Sequence, residues 1–285
     1  MRFDDRHEVV INGPWVEQME TAVRTGVADR VVCNYALGFD EPDLRFLEYL
    51  PIKQLVVLDP RITDLAPIYT LAASLELLHL TVDPDVTVDL GALPRLTDFS
   101  AGWTQAADTL SAARGLQRVA LGGYRPDDLT PLAGLDSLTS ISMKDRPRIR
   151  SLAGLGQLPE VTHLGIYAAS RLDDVADLRG RSRIETLYLQ ACPKLGTTED
   201  LDGCTGLRKL NLAEGAELDT CAPLGALAAL EELYLYGSTR FTDGDLGPIA
   251  TLPHLTELRM QNRRHYRPTV KDIQARIAHR ADGGR

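Results

Sequence analysis

The segment L-x-x-L-x-L, or an apolar equivalent, begins ten times down this chain, at Ile52, Leu75, Leu96, Leu116, Leu138, Val161, Ile184, Leu207, Leu230 and Leu255. Successive starts lie 23, 21, 20, 22, 23, 23, 23, 23 and 25 residues apart. A near-constant period of this length specifies a stack of small structural units, a solenoid. One unit is too small to bury its own apolar side, so each needs a neighbour above and below. The stack absorbs most of the 285 residues, so one repeat array is expected rather than several globular domains.

Within a repeat the periodicity changes. Leu207-Arg-Lys-Leu210-Asn-Leu212 alternates apolar and polar from Leu210, which is strand spacing with one buried face. Downstream, Leu218, Cys221, Leu224 and Leu227 fall three apart, which suits a return arm of 3₁₀-like turns. The same arm recurs as Ile149, Leu152, Leu155, Leu158 and as Ile62, Leu65, Ile68, Leu71. Pro67, Pro131 and Pro223 stand inside such arms, where an α-helix interior would tolerate them poorly.

From about Val31 to Asn262 the pattern resembles the leucine-rich-repeat family, and arms such as Asp128-Leu-Thr-Pro-Leu-Ala-Gly-Leu135 look most like the short bacterial repeats of the internalin type. The resemblance implies an α/β repeat fold: a solenoid with a parallel, concave β-sheet, convex arms rich in 3₁₀ turns and loops, and helical end caps. It also implies a binding role, since members of the family usually bind proteins. The chain departs from the family at the ninth position of the repeat, where Asn or Cys usually ladders the turns together. That position holds Pro60, Asp83, Thr104, Tyr124, Arg146, Ala169, Cys192, Gly215, Ser238 and Arg263, and only Cys192 matches. Backbone groups or water must then satisfy the turns.

An open stack exposes its core at both ends, so caps are expected over residues 1–30 and 263–285, flanking the solenoid of residues 31–262. At the front, His7 to Ile11 reads as a strand and Pro14 to Thr25 as a helix with Trp15, Met19, Ala22 and Val23 on one face. At the back, Thr269 can N-cap a helix that packs Val270, Ile273 and Ile277 downward, and residues 282–285 read as frayed.

Charge narrows the partners. The chain carries a net −9, while residues 255–285 hold 8 Lys/Arg against 3 Asp/Glu. The acidic body argues against nucleic acid, although the tail Arg263-Arg264-His265-Tyr266-Arg267 offers a basic patch. No apolar run of about 18 residues is present, so no membrane span is expected. The first eight residues lack an apolar signal core, which points to the cytoplasm. The four cysteines, Cys33, Cys192, Cys204 and Cys221, show no C-x-x-C spacing, so no metal is expected. Cys204 and Cys221 replace Leu in the return arm and read as core filler, whereas Cys33 reads as partly exposed in the first strand.

In a parallel sheet of this kind the polar positions three, five and seven of each repeat face a ligand. The fifth positions run Val56, His79, Ser100, Ala120, Ser142, Gly165, Tyr188, Asn211, Tyr234, Arg259. The seventh run Leu58, Thr81, Gly102, Gly122, Lys144, Tyr167, Gln190, Ala213, Tyr236, Gln261. Four of the nine tyrosines, Tyr167, Tyr188, Tyr234 and Tyr236, sit in these two columns, with Arg259, His163 and Lys209 beside them. Tyr and Arg are the side chains that most often anchor interfaces. The candidate binding residues are therefore His163, Tyr167, Tyr188, Lys209, Asn211, Tyr234, Tyr236 and Arg259, with Asn211 offering an amide at the floor of a slot between Tyr188 and Tyr234. The bland reading is that Tyr favours strands and stacks along the ladder. Small residues in repeats three to six form a second candidate, a bare floor for a small substrate of an enzyme or an accessory protein. His79, Ser100 and Asp98 assemble a Ser, His and Asp set only superficially, because nothing orients Asp98 behind the imidazole. The residues thus favour a non-enzymatic scaffold for a protein or peptide, with no catalytic residue and no cofactor called for.

Overall fold

The computed structural model describes residues 3–4 and 7–283, which fall into two compact units, 1–122 and 123–285. In the first unit the elements are β1 (Phe3–Asp4), β2 (Glu8–Ile11), α1 (Glu17–Arg24), β3 (Arg30–Asn34), β4 (Gln54–Leu58), β5 (Leu77–Thr81), β6 (Asp98–Gly102), α2 (Trp103–Ala106) and β7 (Arg118–Gly122). β1 runs antiparallel to β2, and β2 to β7 pair in parallel in chain order. The second unit holds β8 (Ser140–Lys144), β9 (His163–Tyr167), β10 (Thr186–Gln190), β11 (Lys209–Asn211), β12 (Glu217–Leu218), β13 (Glu232–Leu235), β14 (Arg240–Phe241), α3 (Gly247–Ala250), β15 (Glu257–Met260) and α4 (Val270–Gly283). There β8, β9, β10, β11, β13 and β15 pair in parallel, while β12 and β14 pair in the return arms.

The register advances one repeat per strand. In the first unit Val31, Leu55, Leu78, Phe99 and Val119 stand opposite one another, and in the second Leu164, Leu187, Leu210, Leu233 and Leu258 do the same. All ten are buried and form the inner layer of the core. The return arms are 3₁₀ turns such as Ala66–Leu71, Thr130–Leu132 and Ala222–Ala226. Each carries its proline at the first or second position, where the missing N–H has no partner to lose. Strand, tight arm and strand again make this a leucine-rich-repeat solenoid.

Turn polar groups are satisfied by backbone bonds between repeats, such as Ala168 N–H to the Gln190 carbonyl and Ala191 N–H to the Ala213 carbonyl, both at 2.9 Å, and also by side chains outside the ninth position. Gln105 donates to the Asp83 carbonyl at 3.1 Å, and Thr239 donates to the Leu212 carbonyl at 2.6 Å while accepting from the Gly215 N–H at 2.9 Å. At the ninth position itself, Tyr124 is buried and its hydroxyl donates to the Asp128 carbonyl at 2.7 Å.

At the front, α1 starts later than its apolar spacing predicts. The Trp15 N–H donates to the Glu41 carboxylate at 2.6 Å, and Val16 is extended at φ −128°, so the helix opens only at Glu17. Met19, Ala22 and Val23 are buried, but Trp15 lies off the helix and packs on Phe46 with ring centroids 4.9 Å apart. At the back, the Thr269 hydroxyl accepts from the Asp272 N–H at 3.2 Å, and the Asp272 carboxylate accepts from the Thr269 N–H at 3.0 Å. This reciprocal cap starts α4, which runs through Asp282 to Gly283 where a frayed end was expected; Gly284 and Arg285 lie outside the described residues. The basic stretch before α4 is tied down: Tyr266 is buried, and its hydroxyl accepts from the Phe241 N–H at 3.1 Å. No helix among the described residues is long and apolar enough to cross a membrane.

Candidate functional site

The second unit presents its polar columns as aligned rows. The third-position row reads Ser140, His163, Thr186, Lys209, Glu232, Glu257, and the fifth-position row reads Ser142, Gly165, Tyr188, Asn211, Tyr234, Arg259. The strands place Tyr188, Asn211, Tyr234 and Arg259 side by side because each repeat contributes one residue at the same height.

Tyr234 is fixed at three points. Its hydroxyl, with a single proton to donate, lies 2.8 Å from a Glu232 oxygen and 3.1 Å from a Glu257 oxygen, and the Arg259 guanidinium lies over its ring at 5.3 Å from the centroid. Glu232 in turn pairs with the Lys209 ammonium at 2.7 Å, and Arg259 pairs with Glu257 at 2.6 Å. Burial and then the two carboxylates push the Tyr234 phenol pKa upward, since donating to an anion favours the neutral phenol. The Lys209 ammonium holds Glu232 below the usual carboxylate range. Sequence reading passed over Glu232 and Glu257; the signal was present in the third column, where Lys, Glu and Glu follow one another.

Tyr188 is held differently. The Tyr167 ring meets it edge-on with centroids 6.4 Å apart, and the Lys144 ammonium lies 5.8 Å from the Tyr167 centroid. Burial raises the Tyr167 phenol pKa. The Tyr167 ring lies across Gly165, where a Cβ would meet Tyr167 Cε2 at 3.0 Å, so a side chain there would displace the ring. Gly165 is therefore covered rather than bare, which shortens the small-residue floor proposed for repeats three to six.

Asn211 is 8% exposed. Its Oδ1 accepts from the Ala213 N–H at 2.9 Å and its Nδ2 donates to Gln190 at 3.4 Å. The amide expected to serve a ligand therefore already spends one acceptor position and one donor within the fold. Gln190 also donates to the Tyr236 hydroxyl at 3.5 Å, linking Tyr236 to the row. His163 is exposed at the start of β9, with its Nδ1 2.7 Å from the Thr162 hydroxyl.

In the first unit, His79 stands opposite Ser100, and the Asp98 carboxylate is occupied by Arg118 and by the Thr97 hydroxyl. Cys33 is fully buried, not partly exposed, because it alternates with Val32 on the inner face of β3; burial pushes its thiol pKa up. Among the described residues no group of His, Cys, Asp and Glu has the arrangement of a metal site.

An internalin (inlF) from Listeria monocytogenes is similar in structure, with a TM-score of 0.59 and 18% identity over 91% of this chain and 83% of its own. The functional domain of InlJ from the same organism, which includes a cysteine ladder, gives 0.51 and 11% over 78% of this chain and 46% of its own. A leucine-rich-repeat protein of Leptospira interrogans gives 0.47 and 17%, and this chain spans 48% of it. The two Listeria likenesses show the leucine-rich-repeat fold. No protein-family model matches the chain, and no curated protein is similar to it in sequence.

Proposed function

We propose that this protein is a non-enzymatic scaffold that holds a protein or peptide on the tyrosine-bearing sheet face of its second unit. The observation that carries this reading is that Tyr188 and Tyr234 are each immobilised from one side, by the Tyr167 ring and by Arg259, yet both remain partly exposed across the buried Asn211. Aromatic anchors fixed before binding lose little conformational entropy when a partner arrives. Two strand spacings separate them, roughly 10 Å, which admits one inserted side chain. Tyr167, Tyr236, Lys209, His163 and Arg259 surround that slot. We place the protein in the cytoplasm, a reading supported by four buried, unpaired thiols.

The test is affinity capture from the native cell, followed by calorimetry of the captured partner against variants. Tyr188→Ala and Tyr234→Ala are each expected to weaken binding by at least about 1–2 kcal/mol. Tyr234→Phe keeps the ring and should bind nearly as well, and Ser142→Ala should bind unchanged. If affinity survives the double Tyr188/Tyr234 substitution and collapses at Ser100 or Ser142, the small-residue floor is the site and the present reading fails.

A further inference from the structure

We propose that the loops leaving β8, β9 and β10 form a cation ladder that receives the carboxylates of an acidic segment in the bound peptide. This inference rests on the reading above for where the peptide lies, and adds the chemistry of the peptide. Two sets of cations in the second unit differ in their partners. Where the strands begin, they are neutralised across neighbouring repeats: Arg183 by Glu160, Arg208 by Glu231 and Lys209 by Glu232, at 2.7, 2.6 and 2.7 Å. Where the strands end, Arg148, Arg171 and Lys194 occupy the eleventh position of three successive repeats. All three are exposed, and none pairs with a carboxylate among the described residues. The next two residues of that column, Glu217 and Arg240, pair with each other and close the run.

Like charges on successive repeats repel, and an anionic partner would relieve that repulsion. Each ladder cation also follows a seventh-position residue of the sheet by four residues, Arg148 after Lys144, Arg171 after Tyr167 and Lys194 after Gln190. Lys144, on the loop side of β8, stacks over Tyr167, and Tyr167 packs on Tyr188. A peptide anchored between Tyr188 and Tyr234 therefore passes the ladder a few residues away. Three rungs span roughly 10 Å, the length of about three extended residues. Complementarity therefore calls for two or three Asp or Glu residues near an apolar or aromatic anchor. A phosphodiester strand fits less well, because the same face carries Glu232 and Glu257 beyond the row and the whole chain is at −9.

Selection of a random displayed dodecapeptide library on the immobilised full chain tests this. Peptides rich in Asp or Glu beside an anchor residue are expected. Fluorescence anisotropy of a selected peptide should show affinity falling with salt, and falling roughly tenfold or more in R148Q/R171Q/K194Q. The control E160Q/R183Q, at the neutralised edge, should bind unchanged. Equal binding by the triple variant, selected peptides without acidic enrichment, or tighter binding of oligouridine than of the peptide at the same salt would each overturn the proposal. Loss in Y188A/Y234A with retention in the triple variant defeats the ladder and keeps the tyrosine row. The opposite pattern keeps the ladder and defeats the row.

Discussion

Asp59 shows how a single residue can be committed to the fold by its neighbour. Its side chain is 1% exposed, and its carboxylate accepts from the Arg61 backbone N–H at 2.9 Å, Nε at 3.0 Å and Nη2 at 2.7 Å. These contacts hold its pKa below the usual carboxylate value, the Arg61 side chain contributing most. A carboxyl whose folded pKa is depressed stabilises the fold fully above its unfolded pKa, about 4. That contribution is lost as the pH falls through the lower folded value. Asp59→Asn removes the charge and leaves Arg61 with a weaker acceptor, so a loss of about 1–3 kcal/mol is expected at neutral pH. Urea midpoints of both proteins at neutral pH and near pH 3 check this; a gap that fails to narrow in acid would contradict the ion-pair account. Nothing in the repeat pattern marked Asp59, because burial of a turn residue depends on what Arg61 and Asp40 place over it.

At the scale of one element, the return arm was legible from its three-residue spacing, but the chemistry of its cysteines was not. Cys221 is buried and its thiol donates to the Asp245 carbonyl of the following repeat at 3.0 Å; Cys204 donates to the Leu178 carbonyl of the preceding arm at 3.2 Å. Reading Cys221 as apolar filler predicts that Ser costs more than Ala there. The sulfur–carbonyl contact reverses the order, because Ser keeps a donor for the Asp245 carbonyl whereas Ala has none to offer. Cys221→Ala is expected to cost about 1–3 kcal/mol, and Cys221→Ser less, by denaturant unfolding. Burial also pushes the Cys221 thiol up to about 12, so almost no thiolate exists at neutral pH. Iodoacetamide should therefore label Cys221 only as the protein unfolds, and rapid labelling of the native state would refute its burial.

For the molecule as a whole, the vulnerable feature is the open end of a stack. β2 pairs along its own full length with Arg30 to Cys33 of β3, and α1 buries Met19, Ala22 and Val23 at that end. Deleting residues 1–26 would expose the β3 backbone as a free edge, together with the apolar Val31 and Cys33 that β2 now covers. Exposed parallel edges template association, so the truncated chain is expected to aggregate and to melt at a lower temperature. Size-exclusion chromatography and a thermal melt decide it; a monomeric truncation with unchanged melting would show that these residues cap nothing.

The sequence by itself determined the repeat, the strand and arm of each unit, and which polar columns share a face. Those follow from apolar spacing, which is local and recurs every repeat, so Tyr188, Asn211 and Tyr234 could be aligned by counting. What the tertiary structure alone decided is how each aligned side chain is occupied. Asn211 turned its amide to Ala213 and Gln190, Tyr167 lay down over Gly165, and Glu232 and Glu257 closed on Tyr234. The same holds for the cations: Arg208 is neutralised and Arg171 is not, although both stand on the polar surface of a repeat. Periodicity fixes where a side chain starts. Some partners stand two residues away on the same strand, as Ala213 does for Asn211 and Glu232 for Tyr234; others, such as Gln190 and Glu257, belong to the neighbouring repeat, more than twenty residues away, and only stacking brings them within reach.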